Sequence, residues 1–123
     1  MNNHYLSYDD VLLVPQYSDI RSRSEIDIST DLGKGLKLHL PIMSSPMDTI
    51  SEHQMATAIG GVGGTAVIHR YNSVEAQAEI VSKVEQPCIV GAAIGIGGDY
   101  LERASALVSA GARFLCVDVA HGS

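Results

Sequence analysis

The side chains best suited to chemistry stand at the ends of four short apolar runs. Those ends read Ser45-Pro46-Met47-Asp48, His69-Arg70-Tyr71-Asn72, Gly95-Ile96-Gly97-Gly98 and Asp118-Val119-Ala120-His121-Gly122. Asp118 closes the run Phe114 to Val117. A carboxylate there is costly to bury without a partner, so it belongs either at a mouth where a ligand meets it or in a cap or loop hydrogen bond. His69 and His121 each stand alone, with no HxH or HExxH pattern, and no metal site is expected. A cysteine nucleophile needs exposure and positive surroundings to hold its thiolate. Cys88 opens one run and Cys116 lies two residues before Asp118, so both are expected as packed thiols. No catalytic residue is assigned to this chain.

Glycines cluster at Gly60-Gly61-Val62-Gly63-Gly64 and from Gly91 to Gly98. Neither cluster makes G-x-G-x-x-G: from Gly95 and Gly97 the third position is Tyr100, and from Gly61 and Gly63 it is Ala66. A Rossmann fingerprint is therefore absent. The first cluster reads as a helix terminator. The second follows an apolar run and precedes a helix start, where backbone N–H groups can meet a ligand or simply turn the chain.

The elements that position these residues recur evenly. Strands are expected over Pro41–Met47, Thr65–His69, Cys88–Ile94 and Phe114–Val119. Their first clear apolar residues, Ile42, Ala66, Ile89 and Phe114, are spaced by 24, 23 and 25. That interval fits one strand plus one helix. The first spacer carries Ser51 and Gln54 in capping-box register, then Met55, Ile59 and Val62 on one stripe. The second opens at Asn72 and Ser73 and aligns Val74, Ala78, Val81 and Val84. The third pairs Asp99 with Glu102, aligns Leu101, Ala104 and Val108, and ends at Gly111 as a left-handed cap. Residues 1–40, with short strands expected over Tyr8–Pro15, Glu25–Ser29 and Leu36–Leu40, would form an N-terminal hairpin or plug.

Strand–helix repetition gives an α/β fold with a parallel sheet. The even period and the polar C-terminal strand ends favour a (β/α)8 TIM barrel over a doubly wound sheet. Eight units of this length need about 190 residues. The 123 residues hold three complete units and a fourth strand, so the expected fold is the N-terminal half of a barrel, completed by a second chain or a missing C-terminal half.

Composition bounds the partners. Eight Lys and Arg stand against 14 Asp and Glu, for a net charge of −6. No basic face for nucleic acid is available. No apolar run approaches the roughly 18 residues of a membrane span, and Met1-Asn2-Asn3-His4 is not a signal peptide. A reduced, cytoplasmic chain is expected.

Taken together, the motifs resemble the IMP dehydrogenase/GMP reductase family over essentially the whole chain. Tyr8 to Pro15 (YDDVLLVP) resembles its opening strand, and Pro41 to Glu52 (PIMSSPMDTISE) its first barrel strand and loop. Gly63 to His69 (GGTAVIH), Gly91 to Gly95 (GAAIG) and Asp118 to Gly122 (DVAHG) follow in family order. The resemblance implies that Ser45 and Met47 touch the purine nucleotide and that Asp118 approaches the nicotinamide ribose. It also sets Gly95 and Gly97 near the dinucleotide. Arg70 stands where the family often has a basic residue, and Tyr71 replaces an Asn common in the dehydrogenases.

By the same resemblance, the catalytic Cys, the phosphate-binding glycines and the base that activates water belong to distal segments absent here. The nucleotide-sensing CBS insert is also missing, because Val84-Glu85-Gln86-Pro87 runs directly into the next strand. The implied activity is oxidation of IMP to XMP with NAD, and the resemblance allows a monovalent cation in the assembled enzyme. The alternative is NADPH-dependent deamination of GMP to IMP. SSPMDTISE and GAAIG favour the dehydrogenase, whereas Ser22 to Glu25, the missing insert and Cys116 to Ala120 lean toward the reductase. A third reading is a non-catalytic truncated module that binds nucleotide or associates with a full-length relative. The expected partners are a complementary half-barrel chain and, for the assembled unit, further copies of itself.

Overall fold

A computed structural model describes residues 5–122. The polar start Met1-Asn2-Asn3-His4 and Ser123 lie outside the described residues. Two short strands come first, β1 (Thr30–Asp31) and β2 (Lys37–Leu38). A four-stranded sheet follows, made of β3 (Met43–Ser44), β4 (Thr65–Ile68), β5 (Val90–Ile94) and β6 (Phe114–Val117). Helices α1 (His53–Gly61), α2 (Val74–Ser82) and α3 (Tyr100–Ser109) fill the three intervals. The sheet is parallel throughout, in the order β3-β4-β5-β6. Neighbours in sequence are neighbours in space, without the central reversal of a doubly wound sheet. The arrangement is consistent with a partial α/β barrel.

Side chains alternate across a strand, so each strand serves two layers. Ala66, Ile68, Val90, Ala92 and Ile94 form one core with Ala56, Val81, Val84 and Leu107. Alternation turns Val67, His69, Gly91, Ala93, Gly95, Cys116 and Asp118 to the other face. That face is built close: a Cβ at Gly91 would collide with the Phe114 ring, whose residue is its register partner on β6.

The helices depart from the expected stripes. Met55 and Val62 are exposed, and α1 buries Ala56 instead. Leu101 and Val108 are exposed, while α3 buries Arg103 and Leu107. Burial of Arg103 is affordable only with partners. Its Nη1 donates to Gln77 Oε1 at 2.8 Å, and its Nη2 to the Asn72 carbonyl and to Asp99 Oδ2, both at 3.0 Å. Apolar periodicity cannot register a buried position held by a satisfied cation.

Capping departs as well. Ser73 caps α2, its Oγ accepting from Ala76 N at 3.1 Å. The Ser51–Gln54 box does not form: Glu52 takes the cap position, and the buried Ser51 hydroxyl donates to the Ser45 carbonyl while accepting from Ser44 Oγ. Asp99 sits at the cap of α3 without a side-chain cap bond, its carboxylate committed to Arg103. Gly111, at φ +113°, follows α3 in the left-handed region.

In the N-terminal segment, the strands expected over Tyr8–Pro15 and Glu25–Ser29 are not formed. Tyr8–Asp10 and Arg23–Glu25 are single 3₁₀ turns, and residues 5–28 are exposed throughout. Asp10 Oδ2 accepts from Ser7 N at 2.8 Å and from Ser7 Oγ at 2.9 Å, closing the first turn locally. A strand needs a partner, and residues 8–15 have no ladder to join among the described residues. The strand expected over Leu36–Leu40 contracts to Lys37–Leu38, which pairs antiparallel with Thr30–Asp31.

Candidate functional site

Parallel strands direct all four polar ends to one edge of the sheet, and the first three are each followed by a loop that enters the next helix. β3 ends at Ser44, so Ser45 and Met47 lie in the loop beyond it rather than on a common strand face. Met47 N donates to the Ser45 carbonyl at 2.8 Å, and Ile50 N and Ser51 N donate to the Met47 carbonyl at 3.0 and 2.9 Å. These bonds and the Ser51 hydroxyl fix the loop while leaving Ser45 exposed and Met47 half-exposed.

At the end of β4, His69 is 3% exposed and fully engaged. Its Nδ1 accepts from Tyr71 N at 3.2 Å, which places the ring proton on Nε2, facing Glu52 Oε1 at 3.0 Å. Tyr71 stacks on the His69 ring, with centroids 6.2 Å apart. Glu52, at the start of α1, is a site neighbour that sequence pattern missed. Its position one residue before a helix was the available signal.

Arg70 crosses from β4 toward β6. Its Nη2 donates to the Asp118 carbonyl at 3.0 Å, and its Nε lies 3.8 Å from Asp118 Oδ2. The guanidinium also faces the Tyr71 ring at 5.8 Å. Asp118 N donates to the Ile94 carbonyl at 2.9 Å, which sets Asp118 beside Gly95. A Cβ at Gly95 would stand 3.4 Å from Arg70 Nη1, whereas one at Gly97 would meet nothing within 4 Å. Arg70 thus brings Gly95 and Asp118 together, with the open Gly97 turn beyond them. Ser45 and Met47 stand at the same edge, on the far side of β4 and β5.

Neither thiol is set up as a nucleophile. Burial first, and then the negative charge of Asp118, push the Cys116 thiol above its ordinary value. Cys88 Sγ donates to the Thr57 carbonyl at 3.7 Å, and a Cβ at Gly60 would press on Cys88 Cβ at 2.6 Å. Among the described residues, no group of three His, Cys, Asp or Glu side chains is placed to hold a metal, and no helix is long and apolar enough to cross a membrane. A cavity of about 640 Å³ lies elsewhere, between the β1–β2 turn at Leu32 to Leu36 and the starts of β3 and β6 at Met43 and Phe114.

Asp118 offers a carboxylate with 30% of its side chain exposed, and a bare glycine turn adjoins it without side chains to obstruct approach. The carboxylate is a hydrogen-bond acceptor at an unobstructed turn.

Residues 5–123 match the family model described as IMP dehydrogenase / GMP reductase domain. The chain is 46% identical over 81 residues to an inosine-5'-monophosphate dehydrogenase of Nitrosopumilus maritimus, covering 66% of this chain and 17% of the relative. It is 43% identical over 81 residues to a GMP reductase of Leishmania donovani, covering 66% and 16%. An inosine-5'-monophosphate dehydrogenase of Cryptosporidium parvum is 31% identical over 161 residues, covering 95% of this chain and 40% of the relative. The chain spans about a sixth of the length of the first two relatives. With its full described length inside the family model, this chain belongs to the IMP dehydrogenase/GMP reductase family.

Proposed function

We propose that this chain is the N-terminal half of the catalytic barrel of a purine-nucleotide oxidoreductase, which converts IMP, NAD and water to XMP, NADH and a proton. The observation that supports this reading is the gathering of Ser45, Met47, Gly95 and Asp118 at the C-terminal edge of four sequential parallel strands. Barrels of this architecture hold their ligands at that edge. Ser45 and Met47 contact the purine nucleotide, the fixed loop presenting both to one ligand. Asp118 accepts hydrogen bonds from the ribose hydroxyls of the dinucleotide, beside the unobstructed turn at Gly95 and Gly97. Asp118 and the turn at Gly95 and Gly97 would hold NAD, which would supply the hydride acceptor for purine C2.

The thiolate that attacks C2 comes from the remaining barrel units. Cys116 is held protonated by burial and by Asp118, and Cys88 is packed against Thr57 and Gly60. The partner is a complementary half-barrel. Among the described residues β3 and β6 are unpaired edges, with Ile42, Met43 and Val117 exposed along them. Open edges and apolar surface favour docking of further parallel strands.

A reductase reading, deamination of GMP with NADPH, is favoured by one feature of the fold, beside the sequence segments already named. The chain passes from the end of α2 at Ser82 to Val90 of β5 with no inserted module. Steady-state kinetics of the assembled enzyme, wild type, Ser45→Ala and Asp118→Ala, test the proposal. Ser45→Ala is expected to raise the nucleotide KM and Asp118→Ala the dinucleotide KM. Nucleotide binding without turnover in the assembled wild type would instead identify a non-catalytic module.

A further inference from the structure

We propose that Arg70 is a positioning residue, which sets the Asp118 carboxylate for the dinucleotide ribose. The inference rests on the reading of Asp118 as a ribose contact. Arg70 reaches Asp118 by two routes from a different strand: a hydrogen bond from Nη2 to the backbone carbonyl at 3.0 Å, and an ion pair from Nε to Oδ2 at 3.8 Å. The first fixes where the residue sits. The second governs which way its carboxylate turns.

The rest of the guanidinium is confined. It faces the Tyr71 ring on one side, and Gly95 adjoins it on another, where a Cβ would stand in ordinary contact, 3.4 Å from Nη1. Tyr71 is itself held against His69, whose Nε2 meets Glu52. The chain of contacts therefore runs from α1 through the end of β4 to Asp118.

Arg70 Nε is buried and has no hydrogen-bond partner. A buried donor left unmet is costly, and the nearest carboxylate oxygen is only slightly beyond hydrogen-bond reach. A small rotation of Asp118 brings Oδ2 onto Nε and leaves Oδ1 for the ribose. One oxygen held by arginine and one offered to a diol is the division of labour that a carboxylate with two acceptor oxygens permits. A lysine cannot reproduce it, because a point charge lacks the fork that meets a carbonyl and a carboxylate together.

The test is steady-state kinetics on the assembled enzyme with Arg70→Met, Arg70→Lys and Asp118→Ala, alone and combined. Arg70→Met keeps the stem and removes every donor. It is expected to raise the dinucleotide KM about tenfold while the purine-nucleotide KM stays within about twofold. Arg70→Lys is expected to recover only part of the loss. In the Asp118→Ala background, Arg70→Met is expected to add little, because the group it orients is gone. Equal loss of both KM values, or a full Arg70→Met effect in the absence of the Asp118 carboxylate, would overturn the positioning role. An unchanged dinucleotide KM in Asp118→Ala alone would instead remove the ribose contact on which the inference rests. Thermal unfolding of each variant separates misfolding from misplacement.

Discussion

Arg103 of α3 and Gln77 of α2 meet at 2.8 Å in a buried seam, and Gln77 passes the contact on to the sheet. Its Nε2 donates to the Ile68 carbonyl at 3.2 Å and to the Ala93 carbonyl at 2.9 Å, bridging the ends of β4 and β5. Two helices and two strands are thereby locked just beneath the polar edge. Gln77→Leu would take one partner from Arg103 Nη1 and the side-chain donor from two strand carbonyls, leaving Arg103 its Asp99 and Asn72 bonds. The expected loss is about 2–4 kcal/mol, read as a lowered denaturant midpoint with an unchanged slope. A loss under half a kilocalorie, by the same scale, would mean that water replaces the amide without cost.

Gly91 and Phe114 define the inner layer. Gly91→Ala places a methyl group where the Phe114 ring lies, and is expected to destabilise the protein by about 1–3 kcal/mol. Phe114→Leu, which empties part of that space, should recover much of the loss in the double variant. Additive destabilisation in the double-mutant cycle would show that the two positions do not share the space.

Cys116 provides a pH test. Its thiol is pushed above the ordinary range, so at any given pH a smaller fraction is thiolate than in a free cysteine. In a Cys88→Ser background, alkylation of the native protein at neutral pH should be slower than that of a model thiol, and its rate should keep rising beyond the pH at which the model thiol levels off. Asp118→Asn removes the second cause of the shift and should move the profile to lower pH. A profile unmoved by Asp118→Asn would leave burial as the sole cause.

The order of the strands was legible in the sequence because each apolar run is short, β-rich and followed by a polar end. Much of the helix packing was not. Arg103 occupies a core-facing position because Gln77, Asp99 and the Asn72 carbonyl satisfy it, and those partners come from other elements. Ser51 fits a capping box by spacing, but its hydroxyl is spent on Ser44 and Ser45 in the preceding loop. Of the candidate site, Gly95 and Asp118 were legible as strand ends, whereas the bridging role of Arg70 depends on a contact across 48 residues. Tyr8 to Pro15 reads as a strand by composition, yet no ladder among the described residues receives it.

Asp118→Ala in the assembled enzyme removes the carboxylate proposed for the ribose. A lost charge-assisted hydrogen bond corresponds to roughly 10- to 150-fold in the dinucleotide constant, with purine-nucleotide binding little changed. Equal effects on both ligands would return Asp118 to a structural role.

The central claim is most directly tested by measuring NADH formation from IMP and NAD, first with the 123-residue chain alone and then with a polypeptide supplying the remaining barrel units. The expected result is no turnover by the chain alone and stoichiometric XMP and NADH on assembly, insensitive to Cys88→Ser and Cys116→Ser. Turnover by the chain alone, or its loss in either cysteine variant, would contradict the half-barrel reading, and consumption of GMP and NADPH in place of IMP and NAD would contradict the dehydrogenase.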